Sequence, residues 1–156
     1  MEEEKNVFSK VVLCDVDGTL ADCSHRQGFV RTKPKNWKAF NAGIHLDKPH
    51  EDIIWLVKTL HQAGCKIIIC TARTSDQKEK TMKWLDDVAG LKGVYSAIYM
   101  REEKDYRDDS IVKKEILDQI REDGHDPYMV IDDRDRVVRA WREVGLRCLQ
   151  VADGNF

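Results

Sequence analysis

The sequence predicts an α/β fold in which a mainly parallel sheet is covered by helices on both faces. Short apolar runs typical of buried strands alternate along the chain with stretches whose apolar residues recur every three or four positions. Parallel strands end at the same edge of a sheet, so side chains that follow different strands are predicted to meet there. Four of the apolar runs are followed by such polar residues: Asp15 and Asp17, Thr71 and Arg73, Arg101, and Asp132 and Asp133.

The elements are predicted from apolar periodicity, with Gly and Pro as boundaries. In chain order they are a strand at 11–14, a short helix from about Pro34, a helix opened by Pro49 and ended by Gly64, a strand at 65–70, a helix from Ser75 or Asp76 to Ala89, a strand at 94–99, a helix from Asp109 or Ser110 that Gly124 closes, a strand at 128–131, a helix at 137–144 and a strand at 146–151.

Length and composition predict one domain spanning 1–156, with enough residues for a substantial core. Hydrophobic residues make up 42% and charged residues 35%, which favours a globular protein over a disordered one. The formal net charge of -2 excludes a strongly basic protein that coats nucleic acid. Contact with a polyanion would therefore require a local basic patch.

No segment predicts membrane insertion or export. No apolar run approaches the length of a transmembrane helix, and the acidic start Met1–Lys5 predicts a solvated end rather than a signal peptide. The five cysteines form no C-x-x-C pair, so neither a disulfide nor a zinc site is expected. A cytoplasmic location is predicted, because free thiols suit a reducing compartment.

The segment Asp15-Val-Asp17-Gly18-Thr19 directly follows the first predicted strand. Two carboxylates at this spacing can hold a divalent cation, or they can divide the roles of nucleophile and acid. Gly18 lets the chain turn sharply and bring backbone amides close to a bound group. The alternative is ordinary turn chemistry, in which Asp and Gly after a strand carry no function.

Asp132 and Asp133 end the fourth main strand and are predicted to crowd against Asp15 and Asp17. Two unit charges about 4 Å apart repel by roughly 4 kcal/mol at an effective dielectric constant of 20. A divalent cation would resolve this, and all-oxygen ligands favour Mg²⁺ over Zn²⁺. The alternative is a raised pKa on one carboxylate. Taken alone, Asp132-Asp133-Arg134 would predict only the acidic start of a helix.

Residues 23–46 form a local cationic insert, with five Lys or Arg, two His and no acidic residue. Aromatic residues are interleaved with these charges, which predicts a surface that contacts a phosphate backbone and stacks on bases. The alternative for the aromatics is a short helix with Trp37, Phe40 and Ile44 on one face at helical spacing. We favour this second interpretation for the aromatics and leave the role of the cations open.

The order Asp-x-Asp-Gly-Thr, Thr71, Lys113 and Asp132-Asp133 resembles that of the haloacid dehalogenase (HAD) superfamily, whose members are mostly magnesium-dependent phosphatases. The resemblance implies a three-layer Rossmann-like fold with a small cap at about 22–46. It also implies that Asp15 is a nucleophile that forms an aspartyl-phosphate and that Asp17 acts first as acid and then as base. Further implied roles are Mg²⁺ binding by Asp15, Asp17 (through its backbone carbonyl), Asp132 and Asp133, and phosphate binding by Gly18, Thr19, Thr71 and Lys113.

A more detailed resemblance covers nearly the whole chain. The sequence is similar to the phosphatase half of the polynucleotide kinase-phosphatases, as found in the T-even phages, which remove 3′-phosphates from DNA and RNA ends. This implies functional roles for Arg26, Arg73, Arg101 and Asp109, with Asp109 orienting Lys113. The matching stretches are Asp15–Ala21, Trp84–Gly90, Arg101 with Arg107 and Asp109, Val112-Lys113, Ile131–Arg134, Val137-Val138, Trp141-Arg142 and the terminal Gln150–Phe156.

The sequence also departs from these relatives. Thr71 replaces a serine, which is a conservative change because either hydroxyl can donate a hydrogen bond. Residues 33–46 match weakly, which leaves the preference for DNA or RNA open. No G-x-x-x-x-G-K-[ST] phosphate loop is present, so no kinase domain is expected in this sequence.

The sequence therefore favours a magnesium-dependent polynucleotide 3′-phosphatase in nucleic-acid end repair, with 2′,3′-cyclic phosphates as further candidate substrates. Nucleic-acid 3′ ends are the expected partners, and a homodimer or a separate kinase or ligase is left open. One alternative is a small-molecule HAD phosphatase acting on nucleotides. Another is a catalytically inactive module that binds nucleic-acid ends, although the complete catalytic set argues against it.

Overall fold

A computed structural model describes residues 10–156, so the prediction for Met1–Lys5 lies outside the described residues. Five strands form a parallel sheet in the order β5-β4-β1-β6-β7, which confirms the predicted α/β class. Two further short strands pair separately. The strands are β1 (Val11–Cys14), β2 (Ala21–Asp22), β3 (Lys48–Pro49), β4 (Lys66–Thr74), β5 (Tyr95–Arg101), β6 (Pro127–Asp132) and β7 (Arg147–Gln150).

Helices cover both faces of the sheet, as predicted. One hydrophobic core joins the sheet to α3 and to the turn that contains Trp84, and a second core joins it to α5 and α6 around Trp141. Each of these two indole side chains is almost fully buried. The α-helices are α1 (Gly28–Arg31), α2 (Trp37–Ala42), α3 (Glu51–Gln62), α4 (Lys78–Lys83), α5 (Asp109–Glu122) and α6 (Asp135–Glu143).

Two short strands, β2 before the insert and β3 after it, pair as a two-residue antiparallel ladder. The sequence pattern does not predict this ladder. Ala21 pairs with Pro49 and Asp22 with Lys48. The prediction that Pro49 opens a helix is therefore wrong, since Pro49 lies in β3 and α3 begins at Glu51. Proline is tolerated in such a short edge ladder, which does not require its missing N–H group.

Two predicted helices have different bounds in the structure. The helix predicted from Pro34 begins only at Trp37, because the Asn36 side chain accepts a hydrogen bond from the backbone N–H of Ala39 and caps it. The helix predicted up to Ala89 is α-helical only over Lys78–Lys83 and then widens into a π-helical turn at Trp84–Val88. This turn places Trp84 and Leu85 in the core.

The second strand of the sheet is longer than predicted. β4 continues past Cys70 to Thr74, so Thr71 and Arg73 are part of the strand rather than of a following loop. Both side chains are held at the carboxyl end of β4, beside β1. Among the described residues, no helix is long and apolar enough to cross a membrane.

Candidate active site

The carboxyl ends of β1 and β6 bring distant acidic residues together. The backbone N–H of Asp15 donates to the carbonyl of Ile131 at 3.0 Å, which continues the β1–β6 pairing one residue past the end of β1. Asp15 thus lies beside Asp132 and Asp133, more than a hundred positions away in the sequence. The convergence predicted from the strand ends is present in the structure.

Asp15, Asp132 and Asp133 form a buried carboxylate cluster. One oxygen from each lies within 4.8 Å of the others. Lys113, on the first turns of α5, donates to Asp15 Oδ1 at 2.9 Å and to Asp132 Oδ2 at 2.8 Å. The Lys113 side chain is as buried as the carboxylates that it contacts. Three carboxylates and one ammonium give the cluster a formal charge of −2 when all four groups are ionised.

The pKa values of the cluster reflect its burial first and this charge imbalance second. Burial raises the pKa of Asp15 well above its ordinary value, and the neighbouring charge of Asp132 raises it further. Burial likewise raises the pKa of Asp133. Burial alone would lower the pKa of Lys113, but Asp132 and Asp15 raise it well above its ordinary value. An all-oxygen donor set with an excess of two negative charges fits a hard divalent cation such as Mg²⁺.

The turn after β1 fits closely against this cluster. Gly18 has a φ of +81°, and a Cβ at this position would lie 2.1 Å from Asp133 Oδ2. Any side chain at position 18 would therefore displace Asp133. Thr19 Oγ1 lies 3.1 Å from Asp15 Oδ2 and 3.3 Å from Asp133 Oδ1. Gly18 and Thr19 thus fix the mutual position of two cluster carboxylates.

The sequence predicts that Asp17 crowds against Asp132 and Asp133, but its side chain lies outside the carboxylate cluster and belongs to a second group of charges. Its oxygens accept from Arg73 Nη2 at 2.6 Å and from Arg26 Nη2 at 2.9 Å. Burial alone would raise the pKa of Asp17, but the two arginines lower it below its ordinary value. The expectation that Asp17 helps to bind Mg²⁺ concerns its backbone carbonyl and stays a prediction.

Asp47 completes this second group, which we call the arginine network: Asp17, Arg26, Asp47 and Arg73. Asp47 is buried, and it accepts from Arg26 Nε at 2.8 Å, from Arg26 Nη2 at 2.7 Å and from Arg73 Nη2 at 3.3 Å. His25 Nε2 lies 2.7 Å from Asp47 Oδ1, the oxygen that also accepts from Arg26 Nε. Two carboxylates and two guanidinium groups make the network neutral.

Sequence reasoning missed Asp47. The available signal was that Asp47 is the first acidic residue after the acid-free insert at 23–46, just before β3. Its backbone carbonyl also accepts from the Trp84 indole at 2.9 Å, which ties the insert to the π-helical turn. Asp47 therefore anchors both arginines that hold Asp17.

The predicted phosphate-binding hydroxyl of Thr71 lies at the same edge. Thr71 is buried, and its Oγ1 accepts from the backbone N–H of Arg73 at 3.2 Å. A hydroxyl that accepts one hydrogen bond can still donate its own hydrogen. The Thr71 side chain also lines the cleft that contains Asp15, Asp17 and Lys113. This placement is compatible with the predicted donor role.

Arg101 and Asp109 organise the loop between β5 and α5. The Arg101 guanidinium donates to the carbonyls of Ala72, Asp105 and Arg107 at 2.7–2.9 Å. The Asp109 carboxylate accepts from Arg101 and from Arg134. Asp109 was expected to orient Lys113, but its carboxylate pairs with these arginines instead. A substrate contact by Arg101 stays a prediction.

The aromatic and cationic residues of the insert are only partly arranged as the sequence predicts. Phe40 is buried, and the Arg26 guanidinium lies over its ring at 4.2 Å from the ring centroid. Trp37, by contrast, is 51% exposed. Ile44 lies beyond the end of α2 but is buried, so two of the three members of the predicted apolar face are buried and Trp37 is not. Arg26 is buried in the arginine network rather than displayed with the other cations of the insert. The exposed cations are Arg31, Lys33, Lys35 and Lys38.

Comparison with known proteins identifies a match along nearly the whole chain. Residues 9–156 match the family model described as the polynucleotide kinase PNKP phosphatase domain. A viral protein of Autographa californica nuclear polyhedrosis virus, provisionally named a bifunctional polynucleotide kinase/RNA ligase, is 26% identical over 140 residues. The match covers 88% of this chain and 18% of the viral protein.

Solved structures agree with this match. A chain from a Pnkp1/Rnl/Hen1 complex is 32% identical and superposes with a TM-score of 0.75, covering 96% of this chain and 48% of that one. CbbY from Rhodobacter sphaeroides in complex with phosphate shares the fold, with a TM-score of 0.65 at 17% identity over 96% of this chain and 88% of that one. The chain thus spans about half of the repair-complex chain and less than a fifth of the viral relative.

Proposed function

The chain belongs to the family of polynucleotide kinase PNKP phosphatase domains, and from this premise we propose that it is a magnesium-dependent polynucleotide 3′-phosphatase. The observation that carries the proposal is the carboxylate cluster, in which Asp15 lies at the end of β1 with Lys113, Asp132 and Asp133 around it. Phosphoryl transfer needs a positioned nucleophile surrounded by groups that neutralise the charged phosphoryl oxygens.

In the proposed first step, a carboxylate oxygen of Asp15 attacks phosphorus. An Asp15 O–P bond forms, the P–O3′ bond breaks, and Asp17 gives a proton to the departing 3′-oxygen. In the second step Asp17 takes a proton from water, which attacks phosphorus and releases inorganic phosphate and the Asp15 carboxylate. Lys113 and Thr71 would bind the phosphoryl oxygens throughout.

Mg²⁺ held by Asp15, Asp132 and Asp133 would offset their charge and that of the phosphoryl group.

The arginine network influences the protonation state of Asp17. Arg73 and Arg26 keep Asp17 ionised, which is the state that accepts a proton from water. A substrate phosphate that draws Arg73 toward itself would weaken this pairing and favour the protonated acid needed for the first step.

The exposed part of the insert supports a polynucleotide substrate. Four exposed Lys and Arg residues accompany the exposed ring of Trp37, and the insert carries no acidic residue. Cations interleaved with aromatic surfaces are typical of sites for single-stranded nucleic acid. We propose that the single phosphatase domain uses this insert, at about 22–46, as a small cap that contacts the strand behind the phosphorylated end.

We extend the proposal to the biological setting. The relatives are named as a polynucleotide kinase/RNA ligase and as part of a Pnkp1/Rnl/Hen1 RNA repair complex. This supports a role in nucleic-acid end repair beside kinase and ligase activities, on DNA or RNA ends. A homodimer and a cytoplasmic location remain predictions, the latter supported by five free thiols.

The test is an end-group assay with matched oligonucleotides that carry a 3′-phosphate, a 2′,3′-cyclic phosphate or a 5′-phosphate, each with Mg²⁺ and with a chelator. We expect release of phosphate from the 3′ end only in Mg²⁺. Asp15→Asn should lower turnover by at least about a thousandfold, because the nucleophile is lost. Asp118→Asn, an exposed acidic position on α5, is the matched control and should be fully active.

Two outcomes would contradict the proposal. Turnover retained by Asp15→Asn would overturn the aspartyl-phosphate mechanism. Equal values of kcat/KM for a 3′-phosphorylated oligonucleotide and the corresponding 3′-mononucleotide would remove the case for a polynucleotide site and favour a small-molecule phosphatase.

A further inference from the structure

Phe156 borders the cleft that contains the carboxylate cluster. Its side chain lines this cleft together with Asp15, Lys113 and Asp133. The residue is 55% exposed, so its ring is not a core packing element. The Arg134 guanidinium lies over the ring at 5.2 Å from its centroid. Part of an aromatic ring is thus exposed at the lining of the cleft.

The segment that carries Phe156 is fixed to the residues that directly follow β6 and Asp133. Arg134 Nε and Arg136 Nη2 donate to the Phe156 carbonyl at 2.9 and 3.2 Å, and the Gly154 carbonyl accepts from the Asp135 N–H at 2.9 Å. A Cβ on Gly154 would lie 1.9 Å from the Asp133 carbonyl oxygen. Only glycine allows the chain to lie this close to the backbone beside the cluster.

We propose that Phe156 is a stacking platform for the base of the nucleoside that bears the 3′-phosphate. This inference rests on the proposed function. A phosphate bound at Asp15 would bring its own sugar and base close to the residues that line the same cleft, which include Phe156. Stacking on an aromatic ring binds every base, since each has a π face, and it therefore suits an enzyme that must accept any terminal sequence.

The experiment removes the ring from the enzyme and the base from the substrate. Wild type, Phe156→Leu and Phe156→Trp are assayed on a 3′-phosphorylated oligonucleotide and on the same strand with an abasic terminal nucleotide. On the normal strand, Phe156→Leu should lower kcat/KM about tenfold and Phe156→Trp should restore it. On the abasic strand, wild type should already be about tenfold slower and Phe156→Leu no slower than wild type.

Tyr128→Leu is the matched control. Tyr128 is 53% exposed with Lys10 over its ring at 4.0 Å, much like Phe156, but it lies at the opposite end of β6 from the cluster. It should behave as wild type on both strands. Equal losses for Phe156→Leu on the two strands, with wild type active, would overturn this inference alone. No release of 3′-phosphate by wild type would overturn the proposed function and this inference with it.

Discussion

Two buried groups of charge lie next to each other at the carboxyl edge of the sheet, and they are balanced differently. In the carboxylate cluster, Asp15, Asp132 and Asp133 share the ammonium of Lys113. In the arginine network, two carboxylates meet two guanidinium groups. The first group has a formal excess of two negative charges and the second has none.

This difference separates what each group is built to do. A neutral, hydrogen-bonded network needs no further partner and can hold Asp17 and the insert in place. In the unbalanced cluster, burial and the neighbouring Asp132 raise the pKa of Asp15 and Asp133, and a bound cation would offset the excess negative charge. The unbalanced group is therefore the candidate for metal binding and nucleophilic attack, and the balanced one holds Asp17, the proposed acid and base, in position.

The largest expected effect is on the free energy of unfolding of the metal-free protein, with opposite signs for the two groups. Asp47→Asn should destabilise by about 3–5 kcal/mol, because it leaves two buried guanidinium groups with one carboxylate. Asp133→Asn should instead stabilise by roughly 1 kcal/mol, because it removes one of three mutually repelling carboxylates. Urea unfolding in a chelator at neutral pH measures both.

Each of these variants has its own check. Mg²⁺ should not restore the stability that Asp47→Asn loses, since Asp47 lies outside the carboxylate cluster. A destabilised Asp133→Asn protein would contradict the view that the cluster carries excess negative charge. Asp118→Asn on the surface of α5 serves as the common control, with an expected change within about 0.5 kcal/mol.

A smaller effect is expected from Mg²⁺ and pH together. The raised pKa values of Asp15 and Asp133 mean that the metal-free folded state holds protons more tightly than the unfolded chain. The stability that these bound protons contribute is fully present below about pH 3.8, the ordinary pKa of an aspartic acid in the unfolded chain. It is lost as the pH rises through the higher pKa values of Asp15 and Asp133 in the folded protein. At neutral pH, Mg²⁺ should replace the protons and restore stability.

At a hundredfold excess over its Kd, Mg²⁺ should therefore add about 2.7 kcal/mol to the free energy of unfolding near neutral pH, and clearly less near about pH 5. Thermal unfolding at both pH values, with and without Mg²⁺, measures this. Asp133→Asn should reduce the response at neutral pH. An Mg²⁺ effect that is constant or shrinks as pH rises would argue against metal binding at these carboxylates.

The carboxylate cluster was predictable from the sequence and the arginine network was only half predictable, for physical reasons. Asp15 and Asp132 follow apolar strands, and parallel pairing alone brings them to one edge. The sequence and its family resemblance point to Arg26 and Arg73, but not to the carboxylate that joins them. Asp47 stands alone in an irregular segment, and only tertiary packing brings it to Arg26 and Arg73.

Short or irregular elements escaped prediction in the same way. The two-residue ladder at Pro49 has no periodicity to detect, and nothing in the helical pattern around Trp84 signals a wider turn. The helical spacing of Trp37 and Phe40 correctly predicts a helix. It does not predict which of the two rings is buried. Long elements are determined by local pattern, whereas these details are determined by the surrounding packing.

The smallest effect is expected at the rim of the arginine network. His25 Nε2 lies 2.7 Å from Asp47 Oδ1, but its side chain is 39% exposed and Asp47 keeps both arginines without it. His25→Ala should therefore cost less than about 1 kcal/mol in urea unfolding and leave turnover unchanged, with exposed His45→Ala as the control. A loss as large as that of Asp47→Asn would mean that the two arginines alone do not balance Asp47 and Asp17. His25 would then be a full member of the arginine network, and the network could no longer be described as balanced by its two arginines alone.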